Sequence, residues 1–180
     1  MSQPLAELCL AIARRAKAAS VELATVSTAK KNAWLLASAD ALLTNQAAIL
    51  AANERDVAAA PGFGLNAAGI DRLTFTPVRL RAAADGLRQV AALPDPVGEV
   101  REGGTRPNGL QVLKVGVPLG VIFFLYESRP NVTVDAAGLC VKSGNAVILR
   151  GGKEAAHSNA LLTELLRGSL GEGCACHAKK

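Results

Sequence analysis

The sequence predicts an α/β protein in which a helical amino-terminal segment is followed by a β-hairpin and then by the start of a parallel sheet. Three observations predict it. Up to Pro94 the chain is alanine-rich with apolar residues at helical spacing. An Asn108-Gly109 pair, a strong hairpin signal, sits inside the turn TRPNGL. From Gly120 to Leu170, nearly unbroken apolar runs alternate with helical patterns, as in strands crossed over by helices. With 180 residues there is room for one ordinary domain. Half of the residues are hydrophobic, but 34 are Ala and the aromatics are only four Phe, one Tyr and one Trp, which favours closely packed helices.

The first helix carries Leu5, Leu8, Ile12, Ala16 and Ala19 on one face, with Ser2 and Pro4 suited to a cap and a first turn. A second starts near Ser27 or Thr28 and carries Leu35, Leu36, Leu42 and Leu43. A third runs from about Asn45 to Ala59 and ends at Pro61-Gly62. Thr76-Pro77, a cap followed by a proline at the first helical position, opens a helix with Leu80, Ala84, Leu87 and Ala91 on one face, and Pro94 closes it. Gly98 to Val115 reads as two antiparallel strands. The run Gly120 to Ser128 reads as a strand buried on both faces. A helix at Asn131 to Ser143, a strand at Asn145 to Leu149 and a helix at Glu154 to Leu170 follow. The expected division is 1–94 helical, 95–117 hairpin, 118–170 βαβα, and 171–180 an atypical tail.

Lys, Arg, Asp or Glu interrupts every long apolar stretch, so no membrane partner is expected, and the first residues lack the pattern of a secretory signal. A cytoplasmic address and free thiols at Cys9, Cys140, Cys174 and Cys176 follow as expectations. The net charge of +5 comes from dispersed basic residues with few aromatics between them, which argues against nucleic acid.

Polar residues cluster in YESRPNVT, Tyr126 to Thr133, at the carboxyl end of a predicted strand, where open α/β sheets bind ligands. Asn131 there has two readings, a helix N-cap or an amide donor aimed at an oxyanion, and spacing leaves both open. In ILRGGKEAAHSN, two glycines stand between Arg150 and Lys153 before a helix, which suits either a tight turn or a phosphate-bearing ligand. Neither GxxxxGK[ST] nor GxGxxG is present. His157 has no partner at ligand spacing and reads as a solvated or capping residue. Cys174, Cys176 and His177 lack a fourth ligand and make no expected metal site. Cys140 shares a helix face with Ala136, Ala137 and Val141 and reads as packed.

The stretches DRLTFTPVRLRAAADGLRQVAALPDPVGEV, TRPNGLQVLKVGVPLGVI and YESRPNVTVDAAGLCVKSGNAVILRGGKEAAHSN closely resemble the gamma-glutamyl phosphate reductase (glutamate-5-semialdehyde dehydrogenase) family of the aldehyde dehydrogenase superfamily, over about residues 5 to 170. The resemblance implies an aldehyde dehydrogenase-like but incomplete fold, with a nucleotide-binding sheet and an oligomerisation hairpin. It also implies NADPH-dependent reduction of L-glutamate 5-phosphate in proline biosynthesis, a homo-oligomer, and channelling with glutamate kinase. In this chemistry a cysteine thiolate displaces phosphate, and the thioester accepts hydride from NADPH. It gives Asn131 the donor role toward the acyl oxygen, with its side-chain oxygen free to cap the helix. Arg150 meets the adenosine ribose, Lys153 favours the 2′-phosphate of NADP, and Glu127, Ser128, Gly151 and Gly152 line the same pocket. Family members are longer, so the nucleophile is expected beyond residue 180 and the chain is expected to be an inactive fragment with exposed apolar strands at 121–125 and 147–149. A non-catalytic protein that binds nucleotide or full-length subunits is the alternative.

Overall fold

The computed structural model describes residues 4–169, so Ser2 and the tail with Cys174, Cys176 and His177 lie outside the described residues. Among the described residues, seven α-helices and four strands follow in the order α1 (Leu5–Leu23), α2 (Thr28–Thr44), α3 (Gln46–Ala59), α4 (Ala67–Leu73), α5 (Pro77–Ala92), β1 (Val100–Thr105), β2 (Gln111–Val115), β3 (Val121–Leu125), α6 (Pro130–Lys142), β4 (Ala146–Arg150) and α7 (Ala156–Gly168), with short 3-10 turns at Ala60–Phe63 and Lys153–Ala155. β1 and β2 form an antiparallel hairpin, and β3 and β4 a parallel pair. The predicted α/β order is therefore observed, with one addition. The seven-residue α4 is too short to show a 3.6-residue period, yet Asn66 announces it by accepting the Gly69 N–H at 2.9 Å as N-cap.

The core forms where α2, α5, α6 and α7 meet, with Leu35, Leu42, Leu80, Leu87, Val134 and Leu162 buried together. Thr76 accepts the Arg79 N–H at 3.2 Å and Pro77 takes the first helical position, so α5 starts where the sequence places it. The α5–α6 contact is unusually close. A Cβ at Gly138 would stand 2.6 Å from a Leu87 methyl, so a larger residue there requires the Leu87 side chain or the helices to shift. Trp34 donates its indole N–H to the Leu166 carbonyl at 3.0 Å and joins α2 to the end of α7. Cys140 is buried in α6, as expected, and burial pushes its thiol up.

The linker after α5 is fastened by charge. Lys31, 1% exposed, donates to Asp95 at 2.9 Å, and Asp95 also accepts from Thr28 Oγ1 at 2.8 Å and from the Val97 N–H at 2.9 Å. Burial alone raises the Asp95 carboxyl, but these donors outweigh it and the group titrates below its ordinary value. A depressed folded-state pKa stabilises the fold above the ordinary carboxylate range, and that stability disappears as pH falls through the depressed value. Asp95→Asn should therefore lower stability at neutral pH and narrow its deficit in acid. Urea unfolding across a pH series measures this, and a deficit independent of pH would contradict it.

The hairpin loop falls at residues 106–110, within the TRPNGL turn, and Gly109 takes a positive φ (85°) there. Two features differ from the sequence expectation. β3 is not buried on both faces: Phe123 and Leu125 are 59% and 66% exposed, because among the described residues β3 pairs only with β4. The expected exposure of 121–125 holds for Phe123 to Leu125 only, whereas Val121, Ile122, Val147, Ile148 and Leu149 are half-buried. Finally, the apolar face of α1 is oriented toward β4 but does not close on it, and Leu8 and Ile12 line an open groove beside Val147 and Leu149.

Candidate functional site

β3 and β4 pair in register from Val121↔Ala146 to Leu125↔Arg150, so the two strands end side by side. The Tyr126 N–H still reaches the Arg150 carbonyl at 3.2 Å, and beyond it the chain leaves both strands as adjacent loops. Ser128 Oγ donates to Glu154 Oε2 at 3.1 Å and ties the loops together. Beneath them Thr133 donates to Asn159 Oδ1 at 2.9 Å, which spends its only proton, so the 2.6 Å contact from Tyr126 has Tyr126 as donor. Burial pushes the Tyr126 hydroxyl up and keeps it a donor.

The glycines answer to this support. A Cβ at Gly151 would lie 2.3 Å from the Asn159 amide and 3.0 Å from the Tyr126 ring, and one at Gly152 would meet Glu154 at 2.4 Å and Ser128 Oγ at 3.3 Å. Close packing against the Tyr126 ring and Asn159 thus accounts for Gly151, whereas the near neighbour at Gly152 is the movable end of the Glu154 side chain. The Arg150 guanidinium, exposed, touches the Gly151 carbonyl. Lys153, also exposed, holds its ammonium 5.1 Å from the Phe63 ring centre. Glu127, Ser128, Arg150, Gly151, Gly152 and Lys153 therefore converge on one edge, and two exposed cations there suit a phosphate-bearing cofactor.

Asn131 stands apart from them. α6 begins at Pro130 with Arg129 in the cap position, so Asn131 is the second helical residue and caps nothing. Its amide donates to Asp135 Oδ2 at 3.1 Å, one turn on. The capping reading is corrected: proline at the first helical position draws the helix start one residue forward. Asn131 instead lines a cleft of about 420 Å³ against α4 and α5, with Arg129 and Asp135. Burial pushes the Asp135 carboxyl up, against the opposing effect of the Asn131 amide. The sequence reading passed over Arg129 and Asp135, although the four-residue spacing of Asp135 from Asn131 is a legible signal.

His157 is exposed, as expected, and its backbone N–H together with that of Ser158 donates to the carboxylate of Asp56, at 3.0 and 2.8 Å. Among the described residues no group of His, Cys, Asp and Glu could hold a metal ion, and no single helix is long and apolar enough to cross a membrane.

Comparison with known proteins gives these loops a setting. The gamma-glutamyl phosphate reductase of Rhodopirellula baltica is 59% identical over 165 residues, covering 92% of this chain and 38% of the relative. That of Opitutus terrae is 57% identical over 94% of this chain and 40% of its own length. The solved gamma-glutamyl phosphate reductase of Thermotoga maritima superposes with a TM-score of 0.85 at 37% identity, over 89% of this chain and 39% of that one. This chain is similar to the amino-terminal portion of gamma-glutamyl phosphate reductases. It spans about two fifths of the length of the reductase relatives it matches. An acetylating aldehyde dehydrogenase from Geobacillus thermoglucosidasius, 16% identical with a TM-score of 0.62 over 93% of this chain and 33% of that one, shows the shared aldehyde dehydrogenase fold alone. No family model matches the chain.

Proposed function

We propose that residues 4–169 supply the cofactor edge and the oxyanion donor of a cytoplasmic NADPH-dependent reductase that converts L-glutamate 5-phosphate to L-glutamate 5-semialdehyde and phosphate in proline biosynthesis. The observation that carries it is the in-register ending of β3 and β4, which sets both candidate loops side by side at the carboxyl edge, immediately before the helix bearing Asn131. Arg150 and Lys153 bind the phosphate-bearing adenosine half of the cofactor, and the Glu127–Ser128 backbone lines its pocket. NADPH, when bound, supplies the hydride. Asn131 turns its amide from Asp135 to the acyl oxygen as negative charge develops there. Neither described cysteine is the nucleophile: Cys9 lies on α1, and the thiol of Cys140 is buried with its pKa raised. The nucleophile belongs to the part of the relatives that this chain does not match. The hairpin, exposed along both strands with Val112, Leu113 and Val115 outward, favours a homo-oligomer, and a reactive acyl phosphate favours direct transfer from glutamate kinase.

A chimera tests the reading. Residues 1–169 replace the corresponding part of the Rhodopirellula baltica relative, and phosphate-dependent NADP reduction by L-glutamate 5-semialdehyde is followed. Activity is expected in the chimera and not in the 180-residue chain alone. A folded but inactive chimera would count against the proposal. In the same chimera, Lys153→Glu places a carboxylate beside the 2′-phosphate and should weaken NADP about ten- to a hundredfold while affecting NAD much less. Arg150 shares the phosphate, so the double replacement loses more. An unchanged NADP to NAD efficiency ratio would leave Lys153 only its place over Phe63.

A further inference from the structure

The cleft beside Asn131 carries both signs of charge in a usable state. Arg79 is already committed, donating to both carboxylate oxygens of Asp71 at 3.0 Å and to the Thr74 carbonyl at 2.9 Å. Arg72 and Arg129 line the same cleft, and neither guanidinium has a partner among the described residues. Among the described residues Asp135 accepts only the Asn131 amide, at 3.1 Å. Two unmatched guanidinium groups and one weakly matched carboxylate around a cleft of about 420 Å³ are complementary to a zwitterion. A bare phosphate dianion fits less well, because Asp135 would face it. We propose that this cleft seats the α-amino-acid head of the substrate, its carboxylate on Arg129 and Arg72 and its ammonium on Asp135. The proposal rests on the reading of glutamyl phosphate as substrate and adds how that substrate is told from other acyl phosphates.

The spacing agrees. Asn131 and Asp135 are four residues apart on α6, and one helical turn advances about 5.4 Å, comparable with the reach of the glutamyl methylene chain. An acyl oxygen at the Asn131 amide therefore leaves the ammonium near Asp135. An ammonium at Asp135 also stabilises the charged carboxylate, which desolvation disfavours. Phe75, Ala82 and Ala83 supply an apolar wall for the methylenes between the two ends.

Calorimetric or NMR titration of the full 180-residue chain decides it, with L-glutamate, glutarate and inorganic phosphate as separate probes at one ionic strength. L-Glutamate should bind at least tenfold more tightly than glutarate, which lacks only the ammonium. Arg129→Gln should weaken both about tenfold or more, and Asp135→Asn should remove the preference for glutamate while leaving glutarate binding. Unchanged circular dichroism shows that each variant folds. Equal binding of glutamate and glutarate, no binding of glutamate, phosphate binding tighter than glutamate, or a preference surviving Asp135→Asn would each overturn the assignment. An inactive chimera with intact glutamate selectivity would sink the reductase reading and leave this cleft standing. An active chimera without that selectivity would do the reverse.

Discussion

Alanine at position 131 should lower kcat of the active chimera about a hundred- to a thousandfold, the loss associated with one oxyanion donor, about 2.7–4 kcal/mol. The structure makes this test unusually clean. Asn131 caps nothing, and among the described residues its side chain hydrogen-bonds to Asp135, so Asn131→Ala removes no hydrogen bond that starts the helix. Stability should change by no more than about 0.5 kcal/mol, whereas loss of a capping side chain typically costs about 1 kcal/mol. The KM for semialdehyde should move little, because the donor acts on charge that develops during reaction. Steady-state kinetics and urea unfolding on the same preparation separate the two roles. A variant that keeps its rate but loses stability would return Asn131 to a structural part.

Asp56→Ala should cost about 3 kcal/mol of folding stability. Asp56 is 2% exposed on α3. Its carboxylate accepts the His157 N–H at 3.0 Å, the Ser158 N–H at 2.8 Å and the Ser158 hydroxyl at 2.7 Å. α7 has Ala155 in its cap position and no side-chain cap of its own, so a distant acid does that work and meets the positive end of the helix dipole. Asn53 reinforces the joint by donating to Ser158 Oγ at 3.1 Å and to the Leu73 carbonyl at 2.9 Å. Truncation strands two backbone N–H groups in a buried site, while Asp56→Asn keeps an acceptor and should lose about half as much. A urea midpoint unchanged at constant m would refute the account. Since only the short turn Lys153–Ala155 separates α7 from Gly151 and Gly152, the same variant should loosen this edge and, on the proposed function, raise the KM for NADP.

Much of this was legible before any coordinates. The βαβα order from 118 onward could be read because apolar strand runs alternate with helical periods, and α5 because Thr76-Pro77 marks its start. The convergence of 127–128 with 150–153 followed from two parallel strands ending together. What could not be read depended on distance or on missing neighbours. Asp56 meets α7 across 101 and 102 positions, a pairing no local pattern encodes. The apolar composition of β3 describes a strand with more neighbours than the described residues provide. The start of α6 lies one residue before the expected Asn131, because Pro130, with its preset φ and no N–H to satisfy, takes the first helical position.

Gly138 extends the site to a residue with no functional group. Seven positions, or about 10 Å along α6, separate it from Asn131. The helix bears on Leu87 at this point as a beam bears on a pivot. A methyl group there forces either the buried Leu87 side chain or α6 itself to give way, and any shift of α6 carries Asn131 and Asp135 with it. Where α6 is what moves, position 138 joins the charged residues of the cleft in a screen for lost activity. Its defect would be one of aim, repaired by trimming Leu87 rather than by restoring any reactive group.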